Sequence, residues 1–161
     1  MLKPLLIALL ALTCRNTFAL ADSPVTYWWH TADAAVIGLH HPVDQCALVL
    51  STKDRGVIIS WDRQSKSIQL ASKEWHFADG QSVPVLVQVG EMQATGNAVS
   101  NNDFLTLALR EPIGAALAHA DRISLGYIAS SGMASRVDFP IDVGRIPQLL
   151  KAVERCRKLL H

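Results

Sequence analysis

Two cysteines, Cys46 and Cys156, constrain the fold of this 161-residue chain more than any other feature. The first opens an apolar run, Cys46-Ala-Leu-Val-Leu, in which Cys46, Leu48 and Leu50 share one face of an extended strand. The second lies in the stretch from Ile146 to Leu160. There Ile146, Leu149, Leu150, Val153, Cys156 and Leu160 fall on one face at helical spacing, and Lys151, Glu154, Arg155 and Lys158 fall elsewhere. A bond between the two cysteines would staple this helix to a β-sheet. It would close a loop of about a hundred residues, which on the chain-entropy model stabilises by about 4–5 kcal/mol. That is comparable to the net stability of a whole domain.

Whether the pair oxidises depends on compartment, and the first residues speak to it. Lys3 gives a positive start, Leu5 to Leu12 is apolar, and Ala19-Leu20-Ala21 supplies small residues at −3 and −1 of a cleavage site. This is the pattern of a secretory signal peptide, residues 1–21, cut before Asp22. The apolar run before Arg15 is shorter than the roughly 20 residues a membrane span needs. A lipoprotein reading would lipidate Cys14, but Thr13 fits that requirement poorly and the later Ala-x-Ala site competes. Cleavage removes Cys14 and leaves an even pair, which in the periplasm or outside the cell reads as a disulfide rather than two thiols. Loss of Lys3 and Arg15 takes 15 basic residues to 13 against 14 acidic ones, a net charge of −1. No basic excess remains to bind nucleic acid or an anionic membrane surface. No Asn-x-Ser/Thr acceptor occurs.

The mature chain, 22–161, reads as one β-rich domain. Val25 to His30 is extended and holds the pair Trp28-Trp29; alternation would send one indole into the core and the other outward. Ala35 to Leu39 is a short apolar run ending at His40-His41-Pro42. Val57, Ile59 and Trp61 alternate after a turn at Lys53-Asp54-Arg55-Gly56, where Gly56 is expected to supply a positive φ. Asp62 to Lys66 reads as the next turn, and Ile68 and Leu70 continue the meander. Trp75 to Phe77 precedes a turn at Ala78-Asp79-Gly80. Val83, Val85, Val87 and Val89 form the strongest strand, with Pro84 near its beginning, so the strand is expected to start at an edge or with its first pair unpaired. Glu91 to Ser100 is weaker, with turn points expected at Gly96-Asn97 and Asn101-Asn102. Leu105, Leu107 and Leu109 alternate, Ile113 to Ala120 reads as a short helix opened by Pro112, and Ile123-Leu125-Tyr127 and Val137-Phe139-Ile141 are the last strands, joined through Ser130-Ser131-Gly132. About eight short strands predict an antiparallel sandwich or barrel, with a short internal helix and a C-terminal amphipathic helix packed on the sheet.

In this order the chain resembles the small exported bacterial proteins of the invasion-associated locus B-like kind. The likeness rests on an early tryptophan (Trp28 or Trp29), the cysteine opening Cys46-Ala-Leu-Val-Leu, Trp75 before the valine-rich strand, and an ending of Val137-Asp-Phe-Pro-Ile followed by a helix closing at Cys156. The segment Asp142-Val-Gly144-Arg-Ile-Pro147 departs from the group, whose closing segment often has a glycine followed by small residues. The resemblance implies export and a β-rich fold, and no reaction.

No catalytic motif is present. His40, His41 and Asp44, with His30 nearby, are the densest set of metal-ligand types, but adjacent histidines in an extended segment point apart and do not make a tetrahedral site; no metal or other cofactor is expected. There is no Gly-x-Ser-x-Gly elbow, and the carboxylates Asp138 and Asp142 flank a strand end as exposed acids do. Trp61 and Trp75 are expected in the core. The candidate binding surface is Trp28, Trp29, His30, His40 and His41, with His76 beside Trp75 ambiguous. The chain is expected to bind another macromolecule, a protein, in the envelope or outside the cell. The alternatives are an inhibitor or immunity protein for a secreted hydrolase, a small envelope enzyme, or a glycan-binding domain exposing a tryptophan face.

Overall fold

The computed structural model describes residues 25–39, 45–101, 103–110, 113–129 and 131–160. They form ten strands and two helices: β1 (Val25–His30), β2 (Ala34–Leu39), β3 (Gln45–Ser51), β4 (Arg55–Trp61), β5 (Lys66–Ser72), β6 (Ser82–Val89), β7 (Met92–Asn101), β8 (Phe104–Leu109), α1 (Ile113–Leu117), β9 (Arg122–Ile128), β10 (Ala134–Pro140) and α2 (Ile146–Arg157). All ten strands belong to one antiparallel sheet ordered β1-β2-β3-β4-β5-β8-β7-β6-β9-β10. The expectation of a mainly β fold with an internal and a C-terminal helix is met, with ten strands in place of about eight.

Alternation builds the inner layer. Val36, Leu48, Ile59, Ile68, Leu70, Leu105 and Leu125 are fully buried in one core cluster with Trp61 and Trp75. In β6 the four valines are buried while Pro84 and Leu86 are exposed. Two connections skip strands in the sheet: 73–81 between β5 and β6, and 110–121 between β8 and β9. They carry Trp75 and α1, whose Ile113 and Leu117 are fully buried. The sheet coils so that β10 returns against β4, where the Arg55 guanidinium donates to the Asp138 carbonyl at 3.4 Å.

Helix α2 covers the inner side of β1, β2 and β3. It buries Ile146, Leu149, Ala152, Val153 and Cys156, and Arg155 and Arg157 occupy its last turn, where cations offset the helix dipole. The Cys46–Cys156 disulfide is formed and buried. It joins β3 to α2 as the sequence suggested, although the regular helix ends at Arg157 and Leu160 lies in a following turn.

Three local expectations are corrected. Gly56 is a regular member of β4, paired with Ser51 and Ala71, and the positive-φ glycines are Gly80, Gly90 and Gly132. Gly96 and Asn97 lie in the middle of β7 rather than in a turn; a Cβ on Gly96 would come within 2.9 Å of Leu107 Cδ1, so the glycine makes room for its neighbour strand. The β6–β7 turn instead uses Gly90, at φ 57°. Third, β1 carries a bulge at Trp28: Tyr27 pairs with Ile37, and the next pair is Trp29 with Val36. The extra residue shifts the alternation. Trp29 is placed opposite a core residue and Trp28 lies beside Gly38 and Cys156, so both indoles turn inward and pack, half-buried, against the core. The expected outward tryptophan does not exist. The Pro84 expectation is met only in part: β6 lies between β7 and β9 and is no edge, and its first residues Ser82 and Val83 pair with Val99 and Ala98 of β7, whereas the β6–β9 ladder starts only after Pro84, at Val85 with Tyr127.

Gly38 is where this packing is tightest. A Cβ there would lie 3.1 Å from Trp28 Nε1 and 3.4 Å from Cys156 Sγ. The substitution Gly38→Ala is expected to cost about 1–2 kcal/mol through overpacking against a helix that the disulfide prevents from backing away. Chemical denaturation of the variant checks this; a neutral effect would mean that the indole moves aside freely.

Candidate interaction surface

Strand pairing determines which residues share the outer face of the sheet, because directly opposed residues point the same way. Starting from Tyr27 opposite Ile37 and moving across, the outer face of β1–β4 holds Val25, Tyr27, Ala35, Ile37, Leu39, Ala47, Val49 and Ile58, with His30, Gln45, Ser51 and Ser60 as its polar members. Ala35, Ala47 and Val49 are buried, yet they stand outside the core cluster. Val25 and Tyr27 are exposed at 41% and 49%. Beyond β4 the face stays uncharged but is mixed, with Ser67, Gln69, Thr106, Thr95 and Asn97 beside the exposed Leu86 and Val99.

Charge is absent from this face over eight strands. Within β1–β8 the charged residues are Arg55 and Lys66, each the first residue of its strand. Both are opposed to inner-face partners, Ser72 and Trp61 respectively. Ionic side chains return only on β9 and β10. There Arg136 Nε meets Asp138 Oδ1 at 3.1 Å, Arg136 Nη2 donates to Ser124 Oγ at 2.9 Å, and the Ser124 hydroxyl donates to Asp138. The hydroxyl and guanidinium together hold the Asp138 carboxyl below its usual pKa. Sheet surfaces facing water normally carry polar and charged residues. A neutral, largely apolar one marks an interaction surface.

The candidate residues fall on different sides of this surface. His30 is exposed on the outer face, opposite Ala35, and its ring meets Tyr27 edge-to-face with centroids 5.6 Å apart. Trp28 and Trp29 lie behind it on the inner side. Trp28 Nε1–H is buried with no hydrogen-bond acceptor. His40, His41 and Asp44 lie outside the described residues, as does the segment 1–21. Among the described residues no three histidine, cysteine or acidic side chains converge as metal ligands. His76 is exposed, 3.9 Å from Asp103. Tyr27 was the surface residue that sequence reasoning passed over; the bulge that brings His30 to its side of the sheet has no compositional signature.

A cleft of about 390 Å³ opens at the other end of β1–β4, between the β3–β4 hairpin and the β10–α2 connection. Leu50, Val57, Phe139 and Leu149 line it. Arg145 crosses one side, bonding Asp33 at 2.7 Å and Asp142 at 2.9 Å. Its charge is thereby neutralised, so the arrangement serves as a brace between the β1–β2 turn and the start of α2. The Thr31 hydroxyl, at 2.8 Å, and Arg145 hold the Asp33 carboxyl below its usual pKa. A folded pKa below the unfolded value, about 3.9, means this contribution is complete above that value and is lost as pH falls through the folded pKa. The site is half-exposed, so the contribution to stability is small. In Arg145→Ala the Asp33 carboxyl titration is expected to move upward but stop short of the free value, because Thr31 remains. Carboxyl-resolved NMR titration reads this directly, and an unmoved midpoint would remove Arg145 from the account.

The buried disulfide is compatible with an oxidising periplasmic or extracellular setting. No helix among the described residues is long and apolar enough to cross a membrane. Comparison with protein-family models, curated proteins and solved structures gave no significant match.

Proposed function

We propose that this chain is an exported binding protein that engages another protein through the uncharged outer face of β1–β4. The observation that carries the reading is the absence of any Asp, Glu, Lys or Arg from the outer face of eight adjacent strands, combined with exposed Val25 and Tyr27 at one border. A charged partner surface would lose hydration there without gaining an ion pair, whereas an apolar or neutral polar protein surface would not. Export accords with the signal-like segment 1–21, the disulfide and the likeness to small exported bacterial proteins. A tryptophan platform for glycan has less support, because both Trp28 and Trp29 face inward.

The test is affinity capture from envelope and extracellular extracts, comparing wild type with Ile37→Lys/Ile58→Lys. Both positions are half-buried on the outer face, where a lysine stem can lie along the sheet and keep its charge in water, so the variant should stay folded. Recovery of the captured protein is expected to fall more than tenfold. Equal recovery by a variant with an unchanged melting curve would refute this face as the binding surface.

A further inference from the structure

The core is left unfilled at one end. On the inner face of β3, Cys46 and Leu48 are fully buried, but Leu50, next in the same row, is only half-buried. Its partner in β2 is Ala34, whose side chain has too little volume to fill the space beside it. Ala34 and Leu50, with the buried Val57, Phe139, Ile141 and Leu149, make the apolar part of the cleft between the β3–β4 hairpin and the β10–α2 connection. Its volume of about 390 Å³ lies within the roughly 300–1,000 Å³ of small-ligand sites. At about 30 Å³ for each water-sized group, it has room for about a dozen heavy atoms.

The rim carries four charges, and they are not equivalent. Arg145 binds both Asp33 and Asp142. Asp33 also accepts the Thr31 hydroxyl, and Asp142 accepts the Gly144 N–H, so both carboxylates are engaged. Arg55 is held loosely at its tip. Its Nη1 donates to the Asp138 carbonyl at 3.4 Å, and its Nη2 stands 3.9 Å from Glu74, whose side chain is 71% exposed. Its backbone is fixed, because the Thr52 hydroxyl accepts the Arg55 N–H and donates to the Arg55 carbonyl. A guanidinium has five donors. Among the described residues, Arg55 is the rim charge with donors left for a ligand.

We propose that this cleft binds a free medium-chain fatty acid, with its alkyl chain against Leu50, Val57, Phe139 and Leu149 and its carboxylate on the Arg55 guanidinium. The alkyl chain takes from water the apolar surface that the protein alone leaves wet at Leu50. The guanidinium fork matches the two oxygens of a carboxylate. A neutral head group forgoes that pairing. A cationic one meets Arg55 and finds the nearby carboxylates already held by Arg145. The volume limits chain length, so a long-chain acid would leave its end in water. The site lies on the inner side of the sheet, apart from the uncharged outer face, and does not depend on a protein partner.

Titration of the oxidised protein with octanoate, 1-octanol and octylammonium, followed by methyl NMR, tests this. Octanoate is expected to shift the methyl signals of Leu50, Val57 and Leu149 saturably and to bind more tightly than either of the other two. In Arg55→Gln its affinity should fall about fivefold, to that of octanol, while octanol binding stays unchanged. Ala34→Leu, which fills the space beside Leu50, should abolish binding of both. If that variant fails to fold, Arg55→Gln still decides the matter. Three results would each overturn the proposal: no saturable shift at those three residues, octylammonium binding as tightly as octanoate, or Arg55→Gln binding octanoate like wild type. Shifts confined to Ile37 and Ile58 would also overturn it, since they would put the ligand on the outer face.

Discussion

Replacing both cysteines, as Cys46→Ala/Cys156→Ala, is expected to lower the melting temperature by roughly 10–20 °C. The loop that the disulfide closes spans 110 residues of sequence, and removing that constraint frees the unfolded chain far more than it disturbs the native one. Both sulfurs are buried, so alanine leaves no unsatisfied polar group behind. Native packing of α2 persists through Ile146, Leu149, Ala152 and Val153, and the variant should remain folded at low temperature with the helix docked. Differential scanning calorimetry of the variant, beside wild type in strong reductant, measures the effect. A change of less than a few degrees would show that the denatured state is already compact enough to make the bond redundant.

Trp75→Ala is expected to cost about 3–5 kcal/mol, although Trp75 lies in no strand or helix. The indole is 3% exposed and meets Tyr127 and Phe77 edge-to-face, with centroids at 5.4 and 5.9 Å. Phe77 and Tyr127 are themselves 5.9 Å apart, which closes a three-ring cluster between the 73–81 connection and β9. Edge-to-face pairs contribute beyond their buried area, and truncation would remove two of the three. Trp29→Ala, at a half-buried edge position, should cost less. Equilibrium unfolding in urea with near-ultraviolet circular dichroism gives both quantities. A Trp75 cost below about 1 kcal/mol would mean that the connection opens independently of the sheet.

The strands that were legible in the sequence are those with one face in the core and the other in a different environment. Val83 to Val89 and Leu105 to Leu109 alternate because β6 and β8 bury every second residue, and the helical stripe ending at Cys156 survives because α2 has one wet side. What failed to show were features decided by a neighbouring strand. Gly96-Asn97 has the composition of a turn, but its empty side-chain space belongs to Leu107 of β8. Gly56 likewise sits inside a ladder. Trp28-Trp29 read as one residue in and one out, and only pairing with β2 reveals the bulge that turns both inward. The neutral outer face was written in the composition of β1–β8 all along. It became visible only when register told inner positions from outer ones, since the two charged residues in those strands fall on the inner side.

The disulfide also orders events in time. Strands β4 to β10 all lie between its two ends. Were the chain exported amino-terminus first, Cys46 would leave the translocation channel while Cys156 was still inside, and β3, β4 and β5 could pair around a free thiol. Oxidation can come only after the last strand has followed. If Cys14 departs with the leader, no third sulfur competes during that interval. The only intramolecular pairing then open to the two remaining sulfurs would be the native one, leaving no wrong internal bond to reshuffle.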